Sequence, residues 1–104
     1  MKKEYNKLVR DKIIDIIEKD GKKANWHKIE SDEEYLKALN EKLQEEVDEY
    51  KESSDIEELI DVVSVVLAIL KVDGSNLGEL IEWLDEKEEQ RGAFNDRIFL
   101  ESVE

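Results

Sequence analysis

The chain has 104 residues, no cysteine and a formal charge of −13 at pH 7. That length predicts one domain, residues 1–104, with a core small enough that a second subunit would help to complete it. The absence of cysteine excludes disulfides and thiolate metal sites, and the acidity speaks against a surface for polymeric nucleic acid, which needs a basic footprint.

The opening MKKEYNKLVRDK has no apolar run behind its lysines, so no secretory signal is predicted. The greasiest stretch, Val62–Leu70, is far shorter than the roughly 20 residues a bilayer-spanning helix needs. The expectation is a cytoplasmic protein without a membrane partner. A charged fraction of 43% would suit disorder, but apolar residues recur with a helical period and proline is absent, which favours folded helices.

The first predicted helix runs from about Val9 to Lys19, with Val9, Ile13, Ile16 and Ile17 inward and Gly21 as a left-handed C-terminal cap. Residues 22–30 form a loop that contains Trp26, His27 and Ile29. Trp26 suits packing better than base stacking, and His27, the only histidine, has no partner motif beside it. The second helix is announced by Ser31 and Glu34 at capping-box spacing, followed by Leu36, Leu39, Leu43, Val47 and Tyr50. The break falls at Ser53-Ser54-Asp55, where Ser54 with Glu57 is the predicted cap of the third helix.

That third helix, about Ile56 to Val72, carries 12 apolar residues in 17. A surface helix needs only one apolar stripe, so this one should be covered on several sides, in a chain this small by another subunit. Its β-branched residues would also suit a strand through Val62–Leu70, but its length, its cap and its acids at helical spacing favour helix. Asp73-Gly74-Ser75 ends it. Asn76 and Glu79 then cap a fourth helix with Leu77, Leu80, Ile81 and Leu84 inward, ending before Gly92. Ala93–Glu104 reads as a short helix or an extended arm. The fold expected is an all-α bundle of about four helices, completed by dimerisation.

The chemistry-bearing residues are acids. Residues 41–61 hold ten of them against two lysines, Lys42 and Lys51. Glu46 and Glu49 lie three apart on the second helix, about 60° around its axis, with Glu45 behind Glu49. Glu58 and Asp61 repeat that spacing at the start of the third helix. A tight break makes the two helices antiparallel neighbours, so the two pairs can face each other as hard oxygen ligands for Mg²⁺ or Mn²⁺. The competing reading is a solvated acidic face. Burial favours the metal, because Glu58 and Asp61 sit on a helix with little polar surface, where uncompensated charge is costly. There is no phosphate-binding glycine loop, since Gly74–Gly78 lacks the lysine and the spacing.

The motifs EEVDE at 45–49 and EELID at 57–61, with YNKLVRDKI at 5–13 and RGAFNDRIFLE at 91–101, make the chain resemble the MazG-like all-α nucleoside triphosphate pyrophosphohydrolases, and within them a small-protein house-cleaning subgroup. The pattern of that family is Glu-Glu-x-x-Glu followed by Glu-x-x-Asp. The chain departs from it in the eight residues between Glu49 and Glu58, in Ile14 where the subgroup often has proline, and in Ala93 in place of a second glycine.

The resemblance implies that Glu46, Glu49, Glu58 and Asp61 ligate Mg²⁺, with Mn²⁺ able to substitute, and that Glu45 is an auxiliary acid. It also implies hydrolysis of a standard, deoxy or damaged nucleoside triphosphate to the monophosphate and pyrophosphate, by a homodimer or a dimer of dimers. Glu45 and Glu49 are the candidates for activating water. Arg10 is the leading candidate for gripping phosphate, because a guanidinium holds two oxygens at once, and Lys7 and Lys12 share its basic cluster. Arg91 and Arg97, with Asn95, are weaker candidates. The alternatives are a non-catalytic helical regulatory or nucleotide-binding protein, and a pyrophosphohydrolase of the phosphoribosyl-ATP type.

Overall fold

The computed structural model describes residues 2–104 and is all-α, with no strand among the described residues. Four helices follow in order: α1 (Ile13–Lys19), α2 (Asp32–Ser53), α3 (Ile56–Val72) and α4 (Leu77–Arg91). The chain divides into two compact units, Met1–Gly74 and Ser75–Glu104.

In the first unit, α1 is shorter than the sequence predicts. Residues 2–10 form no helix or strand, a turn follows, and Lys12 stands at the N-cap without a side-chain hydrogen bond. The apolar period that includes Val9 is real, but no capping side chain stabilises a start there, and Val9 remains exposed. The C-terminal end is as predicted. Gly21, at φ 82°, donates to the Glu18 carbonyl at 3.1 Å, and Lys22 donates to that of Ile17 at 3.3 Å. Those two bonds close a Schellman motif, whose left-handed position glycine occupies without strain.

Helix α2 starts where Ser31 Oγ accepts from the Glu34 backbone N–H at 3.0 Å. It stops where Ser54 turns into the left-handed region, at φ 56°. That turn moves the next cap by one residue: Asp55, not Ser54, caps α3, its Oδ1 accepting from the Glu57 N–H at 3.1 Å. Ser53 Oγ steadies the connection by accepting from the Asp55 N–H at 3.1 Å.

With only Ser54 and Asp55 between them, α2 and α3 fold back and pack as an antiparallel hairpin. Leu39 of α2 and Val65 of α3, at 3% and 8% exposure, are the buried apolar residues, and Leu43, Val47, Val62 and Ile69 are half-buried. Steps of about 100° per residue put Glu58, Asp61, Val62, Val65 and Ile69 on one face of α3. Ile56, Ile60 and Val63 fall on the opposite face and remain 69%, 60% and 50% exposed.

In the second unit, Asn76 Oδ1 accepts from the Glu79 N–H at 3.0 Å and caps α4, as its sequence predicts. Helix α4 ends at Arg91, and Gly92 has φ 83°. Residues 92–104 form no helix or strand; a bend and a turn at 94–96 interrupt them. No helix among the described residues is long and apolar enough to cross a membrane.

Candidate metal centre

The α2–α3 connection sets the height of each acid. At about 1.5 Å per residue, Glu46 lies some 10 Å before the end of α2 and Asp61 some 8 Å after the start of α3. The hairpin therefore brings the two level on its packed face. Carboxylate oxygens of Glu46, Glu58 and Asp61 all lie within 4.8 Å of one another. Three of the four predicted ligands thus converge. Glu49 does not join that set. It is exposed, nearer the connection, and its charge bears on Glu46 from beside it.

Glu46 is the residue that folding puts under most stress. It is 7% exposed, and one of its oxygens, Oε2, is buried without a hydrogen-bond partner. The other, Oε1, meets Lys42 Nζ at 3.2 Å. Burial pushes the Glu46 carboxyl above the usual carboxylate range, and Glu49 pushes the same way, by side-chain hydrogen bonding first and by charge second, against the pull of Lys42. A buried carboxylate oxygen with no donor is costly unless something positive meets it. A cation held among Glu46, Glu58 and Asp61 would offset the buried charge of Glu46, and an all-oxygen set of this kind suits a hard divalent ion such as Mg²⁺ or Mn²⁺. The residues present fit the group.

Around the three acids stand three bases. Lys42, a turn before Glu46 on α2 and only 17% exposed in its side chain, also reaches Glu45 Oε2 at 3.3 Å. Lys7 Nζ, from the N-terminal arm, donates to Glu45 Oε1 at 2.7 Å. The Lys7 bond, with Lys42 assisting, holds the Glu45 carboxyl below its ordinary range, and the same bond raises the Lys7 ammonium. Arg10 reaches across to α3: its Nη2 donates to Asp61 Oδ1 at 2.7 Å and to Ser64 Oγ at 3.1 Å.

The remaining predicted positions are placed as follows. Lys12 is exposed at the start of α1, and Trp26 and His27 are exposed in the loop after it. Arg91 and Arg97 belong to the second unit, Arg91 in the last turn of α4 and Arg97 at φ 57° in the segment beyond it. The sequence does not single out Ser64 as an acceptor for Arg10, and it offers Lys42 only as a partial counter-charge to Glu46 and Glu49 on a solvated acidic face. Ser64 had a signal, being the one polar residue in the run Val62–Leu70. Lys42 had one too, lying three and four residues before Glu45 and Glu46 on the same helix.

No protein-family model matches the chain, and no curated protein or solved structure matches it either.

Proposed function

We propose that the protein is a divalent-ion-dependent nucleoside triphosphate pyrophosphohydrolase of the MazG-like kind, cytoplasmic, acting in nucleotide house-cleaning. The observation that carries this reading is the convergence of Glu46, Glu58 and Asp61, in which Glu46 is also the residue with a buried, unpartnered oxygen. The sequence resemblance supplies the reaction.

A bound divalent ion neutralises phosphate charge, polarises phosphorus and makes a ligated water easier to deprotonate. Glu46, Glu58 and Asp61 hold it. Without a cation, the same acids repel a polyphosphate, so dependence on the ion follows from charge alone. Arg10 stands on the arm against Asp61 and Lys7 against Glu45, Lys12 follows at the start of α1, and Arg10 offers a phosphate two donors at once. Water oxygen bonds to phosphorus, the bond between that phosphorus and the α–β bridging oxygen breaks, and the water proton passes to a carboxylate. Glu49 suits that role better than Glu45. Both Glu45 oxygens are engaged by lysines and its proton affinity is lowered, whereas Glu49 is exposed and lies outside the three-acid set.

Incubating standard, deoxy and damaged triphosphates with Mg²⁺ or Mn²⁺ and resolving the products tests the reading. Monophosphate plus pyrophosphate is expected, with no turnover in chelator. Diphosphate plus phosphate would reject the cleavage position. Cleavage of a phosphoribosylated nucleotide alone would move the substrate to the phosphoribosyl-ATP class, and nucleotide binding without turnover would favour a regulatory protein.

The working unit proposed is a homodimer or a dimer of dimers. Ile56, Ile60 and Val63 form an exposed apolar stripe on the face of α3 turned away from the acids, where a second copy would cover them without blocking the centre. Light scattering at high micromolar concentration should give at least twice the chain mass, falling toward one chain in Ile60→Asp. A monomeric parent protein would remove α3 as the subunit interface.

A further inference from the structure

The N-terminal arm is tied to the acidic centre at two points that differ in kind. Lys7 pairs with Glu45, which lies outside the converging set. Arg10 pairs with Asp61, which belongs to it. The guanidinium nitrogen that meets Asp61 also meets Ser64, one turn further along α3 and not an acid. A divalent ion and Arg10 therefore draw on the same carboxylate, while Lys7 and Ser64 stay available to keep the arm in place.

Resting on the reading that Glu46, Glu58 and Asp61 take a divalent ion, the geometry points to Arg10 as a tethered cation that occupies Asp61 until the ion arrives and is then released toward the incoming phosphate. Three observations carry this. The Arg10–Asp61 bond, at 2.7 Å, is short and charge-assisted, so it competes for the carboxylate. The pair is partly exposed, with side chains 59% and 37% accessible, so it breaks at modest cost. Arg10 precedes α1, where its carbonyl accepts from the Ile13 N–H at 3.1 Å, so the guanidinium can leave Asp61 by rotation of its own long side chain with the helices undisturbed. Ser64 is a positioning residue here, because its hydroxyl retains the guanidinium near the centre once Asp61 turns to the ion. The consequence is an order of events: the ion enters first, and its entry frees the group that grips phosphate.

Two measurements on the nucleotide-free full chain test the exchange. In the first, Mn²⁺ is titrated into the parent protein, Arg10→Gln and Lys23→Gln, and free Mn²⁺ is read by electron paramagnetic resonance. Lys23 pairs with none of the acids of the centre, so its variant controls for loss of one positive charge. Arg10→Gln should bind Mn²⁺ about two- to fivefold more tightly than Lys23→Gln, the size expected for removing a competing exposed ion pair. Equal or weaker binding by Arg10→Gln would overturn the exchange and leave the ion site standing. If neither the parent nor Arg10→Gln binds Mn²⁺, the ion site itself falls. In the second, the arginine Nε–H signals of ¹⁵N-labelled protein are followed as Mg²⁺ is added. The chain has three arginines, and the signal lost in Arg10→Gln identifies Arg10. That signal should move toward the position of a free guanidinium as Mg²⁺ saturates. A signal that stays put while Mn²⁺ binds would show that Arg10 keeps Asp61, and the proposal would fail.

Discussion

Glu46→Gln is expected to abolish ion-supported hydrolysis while making the ion-free protein more stable. The two effects have one cause. Glu46 is buried, one of its oxygens has no donor, and its carboxyl is pushed above the ordinary range. A group whose folded pKa is raised lends stability while it is protonated and withdraws it as the pH rises through that folded value, because the buried charge must then be carried. Glutamine is never charged, so the variant should gain on the order of 1 kcal/mol at neutral pH. Lys42 is not stranded by the change, since it keeps Glu45 at 3.3 Å. Thermal melts from pH 4 to pH 8 read this directly: the parent loses stability relative to the variant as the pH rises, and the gap closes in acid.

Turnover moves the other way. Losing a ligand charge at the centre should lower the rate on the order of 1,000-fold, with the ion-dependent rise in melting temperature lost as well. Glu58→Gln and Asp61→Asn should lose turnover similarly. Glu49→Gln, outside the converging set, should keep the ion-dependent melting shift even if turnover falls. Normal activity in all four variants would remove the site assignment. A Glu46→Gln protein that melts lower than the parent at pH 7 would remove the account of its strain.

Leu39→Ala carries the largest expected cost to the fold. Leu39 is 3% exposed where α2 packs on α3, and Val65 is the other buried apolar residue among those described. Emptying such a site costs about 2–5 kcal/mol, against a total of about 5–15 kcal/mol for ordinary domains. A unit with so small a core sits at the lower end of that range, so the variant should be largely unfolded at 25 °C. Far-ultraviolet circular dichroism through a urea titration measures it. The consequence reaches the chemistry, because the hairpin alone brings Glu46 to Glu58 and Asp61. The variant should therefore lose its Mn²⁺ site together with its helix signal. A loss below about 1 kcal/mol would mean that Leu39 does not anchor the hairpin.

Much of this was legible locally. The starts of α2 and α4 follow from Ser31 with Glu34 and Asn76 with Glu79, because a cap is a contact between residues three apart and needs no tertiary context. The cap of α3 lies one residue beyond the position its sequence predicts. Ser54 and Asp55 are both competent caps, and the left-handed turn at Ser54 is what selected Asp55. The start of α1 departs from the apolar period for a longer-range reason. Val9 continues the apolar period, but the flanking Lys7 and Arg10 are drawn to Glu45 and Asp61, 38 and 51 residues away, and the arm serves those bonds in place of a helix.

The all-α class, the short α2–α3 connection and the acids on neighbouring helices follow from the order of residues alone, since helical period and capping are properties of adjacent residues. Which acids meet depends on the packing of the two helices. Glu46 faces Glu58 and Asp61 while Glu49 stays exposed, because the two-residue connection with its left-handed turn at Ser54 sets how far each acid stands from the fold-back. Tertiary structure also decides where the positive charges go. Lys42, Lys7 and Arg10 settle on the acids because folding concentrates negative charge that water no longer fully screens.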